Sequence, residues 1–224
     1  VTGVPEELAR AGERFTRPDA LRFISGARTP QGRRSAAVLI LLGLGAAADV
    51  PPAGGPRYDI VLVEKRADLR SHAGQIAFPG GSIEEVDADA IAAALREARE
   101  EVGVDPTAVD VLGTLPAAHI PRSGFDVTSV VGWWRDPVRL APVDVGEIAA
   151  VHQLPVTRLL DPRNRSTWVH PGGFTGPAFT IDDLYVWGFT AYLLDGLFEL
   201  LEWTQPWDAS RTTSIPPRFL SERL

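Results

Sequence analysis

A mixed α/β fold, one sheet with helices packed on its faces, is what this sequence predicts. Three observations carry it. Two apolar runs with strand character, Ser35 to Leu44 and Tyr58 to Lys65, stand early in the chain. A segment with clear helical signals, Ala88 to Val102, follows them. Further strand-like segments then alternate with one more helix, without a regular strand–helix–strand repeat.

Residues 1–34 are polar, with Pro5, Pro18 and Pro30, and Glu6 to Phe15 reads as a short helix. Gly45 to Pro56 is rich in Ala, Gly and Pro and reads as a loop. Gln75 to Pro79 reads as a short extended piece that Gly80-Gly81 breaks. Asp87 is placed as the N-cap of the central helix, with Asp89 in its first turn. Gly103 is its stop, with Pro106 just beyond. Val109 to Leu115 and Phe125 to Trp134 read as strands joined by the loop Pro116 to Gly124. Glu147 to Leu154 reads as a strand, followed by a short helix at Val156 to Leu160. Ser166 to His170 and Ala178 to Ile181 read as a hairpin across Gly172-Gly173. Phe189 to Trp203 reads as a second amphipathic helix, whose apolar face serves either the core or a homodimer. The reading divides the chain into an N-terminal extension (1–34) packed on the domain, a domain over 35–204, and a C-terminal tail (205–224) with prolines and little pattern.

Composition narrows the function. The 224 residues are 45% hydrophobic, enough for a full core. No apolar run approaches the ~20 residues that span a bilayer. No basic-then-apolar leader is visible, so the expectation is a cytoplasmic protein without a membrane partner. The formal net charge is -7, which disfavours a broad nucleic-acid footprint. An acidic protein that handles phosphates needs metal ions or well-placed arginines. There is no cysteine, so disulfides and thiolate metal sites are excluded. Lys65 is the sole lysine.

The central helix carries the chemistry. Ile91, Leu95, Ala98 and Val102 mark an apolar stripe. At about 100° per residue, Glu97 and Glu101 lie about 40° apart on the side away from it, with Glu100 about 60° beyond Glu97. Like charges at these spacings repel, and Glu100 and Glu101 sit at the negative end of the helix dipole. A solvated acidic face is one reading. The other is a site for Mg²⁺ or Mn²⁺, which prefer oxygen ligands and bind a few carboxylates with substrate phosphates. Gly80 and Gly81 let backbone approach a metal or phosphate closely, and a carbonyl there adds a hard ligand.

Gly81 to Val104 resembles the Nudix box, G-x5-E-x7-R-E-U-x-E-E-x-G-U, where U is a bulky aliphatic. Arg96-Glu97-Ala98-Arg99-Glu100-Glu101-Val102-Gly103-Val104 holds every fixed residue of its second half, with a small Ala98. Asp87 stands where the first Glu is expected, and its spacing to Arg96 is one residue longer. Upstream, Arg66, Arg70, His72, Gly74, Gln75, Phe78, Pro79, Gly80 and Gly81 fall in an element similar to one, ending H-x-G-Q-x-x-F-P-G-G, of the coenzyme A pyrophosphatase branch, whose members tend to carry Asp with that longer spacing. Ser123-Gly124-Phe125-x-Val127-Thr128 with Val130-Val131-Gly132 is similar to that branch's S-G-F-x-V-T-P-V-V-G segment, with Ser129 for proline. Gly146-Glu147-Ile148 to Leu154-Pro155 resembles a later region. The resemblance covers roughly residues 35–160.

It implies an α/β/α sandwich and metal-dependent hydrolysis of the diphosphate bond of a nucleotide derivative. The substrate expected first is coenzyme A or an acyl-CoA. The resemblance assigns metal binding to Glu97, Glu100, Glu101 and the Gly80 carbonyl, and catalysis to Glu100, Glu101 and Arg96. Glu101→Gln is expected to abolish turnover and leave the fold intact. Arg66, Arg70, His72, Gln75 and Gly81 are expected at the substrate, although a solvated basic loop or a turn-bound His72 fits the same residues. Arg96 either orients the carboxylates or forms an intrahelical pair. Glu147 is either an extra carboxylate for the site or a surface charge. His119, Arg122 and Ser123 border the pocket or merely connect strands. Trp133, Trp134 and Trp187 are read as core before stacking platforms. Rival functions are a Nudix hydrolase of ADP-ribose, NADH or dinucleoside polyphosphates, and a non-catalytic nucleotide-binding regulator.

Overall fold

The computed structural model describes residues 3–17, 19–20, 28–32, 34–45, 56–121 and 123–220. Most of the loop expected at Gly45 to Pro56 therefore lies outside the described residues, as does Arg122. In chain order the elements are α1 (Glu6–Phe15), β1 (Ser35–Leu44), β2 (Tyr58–Lys65), β3 (Ile76–Ala77), β4 (Gly80–Ser82) and α2 (Ala90–Val102). They continue with β5 (Val109–Ile120), β6 (Phe125–Trp134), β7 (Ile148–Pro155), α3 (Val156–Leu160), β8 (Arg165–Val169) and β9 (Thr175–Ile181). The chain closes with β10 (Leu184–Val186), α4 (Gly188–Leu200), β11 (Thr212–Ser214) and α5 (Pro217–Leu220).

The main sheet runs β3-β2-β1-β6-β5, with β4 also on β1 and β7 also on β2. β1 and β6 are parallel and the other pairs antiparallel, so the sheet is mixed. β1 explains its own aliphatic sequence. Its side chains alternate between two buried faces, and such a strand reads as a continuous hydrophobic run. Leu39 and Leu41 join Val61, Val63 and Val130 under α2. Ile40 and Leu42 join Ile60, Leu62, Val131 and Trp133 in the opposite layer, with α1, α3, α4 and β9. Helices cover both faces, as an α/β/α sandwich requires. A second sheet, β10-β9-β8-β11, continues that second layer.

Several expectations are corrected. α2 begins at Ala90, and its N-cap is Asp89, whose Oδ1 accepts the Ala92 N–H at 2.8 Å. Asp87 is taken by Arg96 instead. Gly103 does end the helix, at φ 77°. Gly80-Gly81 does not merely break a strand: it forms β4, paired with Val38 and Ala37 of β1. β5 extends through residues expected as loop, and Pro116 is tolerated because the register shifts between Leu115 and Ala118. The tail, where the sequence shows little pattern, carries β11, which pairs in parallel with β8, and α5, whose Phe219 is buried. The apolar face of α4 is core: Leu193, Leu194, Leu197 and Phe198 are almost fully buried.

The segment before β1 is tied to the β5–β6 hairpin. The Asp126 carboxylate accepts backbone N–H groups from Gln31 and Gly32 and faces His119 Nδ1 at 2.7 Å. His119 and Asp126 are both buried. The Gln31 N–H above all, then those from Gly32 and His119, holds the Asp126 carboxyl below its usual range against the opposing cost of burial. A depressed folded-state pKa stabilises above the unfolded value, and that stability is lost as pH falls through the folded value. Tm measured against pH should therefore fall on the acid side, and Asp126→Asn should flatten that limb. An identical acid limb in the variant would show that this carboxylate is not a stabilising group.

Candidate active site

Four elements meet at one end of α2. β2 ends in Lys65, β4 supplies Gly80 and Gly81, α2 supplies Arg96, Glu97, Glu100 and Glu101, and Glu147 precedes β7. β7 pairs with β2 so that Lys65 stands opposite Ile148, which brings Glu147 beside Lys65.

The face that α2 turns to the sheet differs from the expected stripe. Ala93, Ala94, Ala98 and Val102 are buried, while Ile91 and Leu95 are only partly so. Alanines let the helix lie close to β1, and Glu101, expected on the outer side, is only 4% exposed. Its Oε1 lies 2.7 Å from Lys65 Nζ and its Oε2 accepts the Gly80 N–H at 3.1 Å. The same Nζ lies 2.5 Å from Glu147 Oε1. Lys65 thus bridges a helix carboxylate and a loop carboxylate from a buried position. Burial opposes the Lys65 charge, but Glu101 and Glu147 outweigh it and raise the ammonium above its ordinary value. Burial pushes Glu101 up, with Lys65 and the Gly80 N–H pulling it back.

Glu97 is mostly buried against Gly81, with its side chain 16% exposed. A Cβ at Gly81 would lie 2.4 Å from Glu97 Oε1, so the carboxylate occupies the space that only glycine leaves open. Burial raises Glu97 as well, opposed by Arg96. Glu100 is the open member, with its side chain 58% exposed.

Arg96 organises this cluster. Its Nε and Nη2 grip Asp87 at 2.9 and 3.0 Å, and Nη2 also donates to Ser82 O. Nη1 donates to Glu97 at 3.1 Å and Glu100 at 3.0 Å. Every guanidinium nitrogen is engaged, and a planar fork is the geometry that allows it. The fork draws Asp87 below the usual carboxylate range.

The loop after β2 lies next to the carboxylates, since the Arg66 N–H donates to Glu147 O and Lys65 N–H to Gln75 O. Within it, Arg66 is paired with Asp68 and donates to Val145 O. Arg70 is exposed. His72 has φ 58°, is exposed, and its Nδ1 faces Gln75 Oε1 at 3.4 Å. A shallow recess of about 510 Å³ lies between Arg66–Asp68 and Pro142, Val145, Ile148 and Ala149.

Other candidates fall elsewhere. His119 is buried on β5 with Asp126, and Ser123 closes a local turn with Ile120 and Phe125. Trp133 and Trp134 are core. Trp187 stacks on Phe219 in a separate aromatic cluster. Sequence reasoning missed Lys65 as a member of the site. Its signal was present: the sole lysine ends a buried strand.

The NUDIX domain model matches residues 43–169, more than half of the chain. The chain belongs to the Nudix family. A protein described as uncharacterized Nudix hydrolase NudL from Cronobacter sakazakii is 38% identical over 176 residues, covering 75% of this chain and 82% of that one. The protein of that description from Escherichia coli (strain K12) is 36% identical over 158 residues, covering 66% and 78%. Among solved structures, a Nudix hydrolase from M. smegmatis, RenU, aligns with a TM-score of 0.53 at 18% identity, over 82% of this chain and 99% of that one, which bears on the fold. The protein is accordingly a Nudix pyrophosphohydrolase acting on a nucleotide derivative.

Nudix hydrolases use divalent metal ions. The donors on α2 fit such an ion chemically, being carboxylate oxygens, and the Lys65 ammonium already sits as a cation between Glu101 and Glu147. Among the described residues, however, no three acidic or histidine side chains converge as a ready cage. Of the described helices, none is long and apolar enough to cross a membrane.

Proposed function

We propose that this Nudix hydrolase cleaves the diphosphate bridge of coenzyme A or an acyl-CoA to 3′,5′-ADP and 4′-phosphopantetheine or its acyl derivative. The observation that carries the reading is the meeting of Glu97, Glu100 and Glu101 with Gly80, Gly81 and Glu147 at the end of α2. The loop that carries Arg66, Arg70, His72 and Gln75 in the pattern of the coenzyme A branch lies alongside. Water adds its oxygen to one phosphorus, the bridging P–O bond breaks, and the bridging oxygen leaves with the other phosphate.

Mg²⁺ or Mn²⁺, when bound, lowers the pKa of a water and neutralises charge on the phosphate oxygens. Glu97 and Glu101 would hold the ion, with Glu100 and the Gly80 carbonyl completing the oxygen set. Arg96 fixes Glu97 and Glu100 relative to each other and so orients the cluster. Glu101 would take the ion only by sharing or displacing the Lys65 ammonium, and Glu97 or the exposed Glu100 would accept the water's proton. Gly81 keeps the Glu97 carboxylate close to the backbone. Arg66, at the rim of the recess, Arg70, His72 and Gln75 would meet the anionic substrate. The recess walled by Pro142, Val145 and Ile148 suits its less polar half.

The purified protein, incubated with Mg²⁺ or Mn²⁺ and with coenzyme A, ADP-ribose and NADH in parallel, should convert coenzyme A preferentially, with both products identified by mass. Preference for ADP-ribose or NADH would keep the chemistry and discard this substrate. Binding without turnover of any would support a nucleotide-binding regulator.

A further inference from the structure

We propose that Lys65 is a built-in counter-cation that holds Glu101 and Glu147 together and competes with the divalent ion for them. The inference rests on the metal-site reading above. The ammonium lies 2.7 Å from Glu101 and 2.5 Å from Glu147, and thereby ties β2, α2 and the turn before β7 at a single point. The side chains of Lys65 and Glu101 are 10% and 5% exposed, so water screens their attraction poorly.

Glu101 meets this cation on Oε1 and the Gly80 N–H on Oε2. A divalent ion that takes Glu101 must therefore share or displace a charge already in place. The lysine holds one oxygen of Glu101 and one of Glu147 onto itself. Residue choice agrees. Lysine and arginine total 22, and the sole lysine stands here. Lysine is a compact point charge on a flexible stem that can swing aside, whereas a guanidinium fork locks onto a carboxylate bidentately. The lysine offsets one of the two negative charges of Glu101 and Glu147 without metal and sets how much metal is needed to occupy them.

The test is Lys65→Met in the full chain, with Lys65→Gln as a second variant should the first fold poorly and Lys65→Arg as the charge-retaining control. Two quantities are read without reference to turnover: Tm in the presence of a chelator, and the Mn²⁺ dissociation constant by calorimetric titration. Without metal, Lys65→Met should melt below the unsubstituted protein, because Glu101 is left buried without a counter-charge. Its Mn²⁺ affinity should rise by about tenfold or more, a change of the size expected for removal of a close competing charge. Lys65→Arg should not show that rise.

Unchanged or weaker Mn²⁺ binding in Lys65→Met and Lys65→Gln overturns the proposal. Glu97→Gln in the otherwise unsubstituted chain separates the two failures. If it weakens Mn²⁺ binding while Lys65→Met leaves the affinity unchanged, the counter-cation alone is wrong. If neither substitution alters Mn²⁺ binding, the metal-site reading falls and the proposal with it.

Discussion

Glu97→Gln is expected to lower kcat on the order of 10²–10³-fold while leaving Tm close to that of the unsubstituted protein. The amide has the shape of the carboxylate, and its oxygen can still accept from Arg96 Nη1, which now stands at 3.1 Å from Oε1. The lost element is negative charge, in a mostly buried position against Gly81 where charge counts for more than at the surface. Steady-state kinetics at saturating Mg²⁺ with a thermal melt in parallel would read both quantities. Unchanged kcat would remove Glu97 from the site.

Glu101→Gln is a less clean test than Glu97→Gln. The intact fold expected from the sequence does not hold for this substitution. Glu101 is buried against Lys65, and removing one partner of a buried ion pair costs about 3 kcal/mol or more. Its loss of activity would combine chemistry with instability, so Glu97 is the residue to change first.

Gly80→Ala should destabilise the fold by about 3 kcal/mol, or roughly 6–12 °C in Tm for a chain of this size. A Cβ there would lie 2.3 Å from Ala37 O and 2.7 Å from Val38 Cα. Both are backbone atoms of the central strand and cannot move aside. The Gly80 N–H that steadies Glu101 would be displaced with them. Gly81→Ala is the informative contrast. The obstacle there is the Glu97 carboxylate, the far end of a flexible side chain, so the fold should survive while activity falls. Equal melting temperatures for Gly80→Ala and the unsubstituted protein would show that β4 does not pack on β1 as described.

These expectations separate what could be read along the chain from what could not. Signals that are local were legible. The continuous aliphatic run of β1 announces a strand buried on both faces, Gly103 announces a helix end, and the spacing of Glu97, Glu100 and Glu101 places three carboxylates on one helix. Those features depend on residues within a few positions of each other. Boundaries fared less well where two local signals competed. Asp87 and Asp89 both suit an N-cap, and the choice went to Asp89 because Arg96, one residue farther along than the general pattern places it, claims Asp87.

By itself, then, the sequence determined the mixed α/β class, the helix that carries the acidic cluster, and the family pattern in which that cluster sits. Tertiary structure alone decided which way α2 is rolled on the sheet, and with it that Glu101 is buried and Glu100 open. It alone decided that Glu147 belongs beside the site, because only the antiparallel pairing of β7 with β2 brings it to Lys65. It also withdrew His119 into a buried pair with Asp126. The physical reason is common to all three. Periodicity states which residues share a face, but burial and charge pairing depend on what packs against that face. Partners such as Lys65 and Glu147, separated by 82 positions, meet only when the sheet forms.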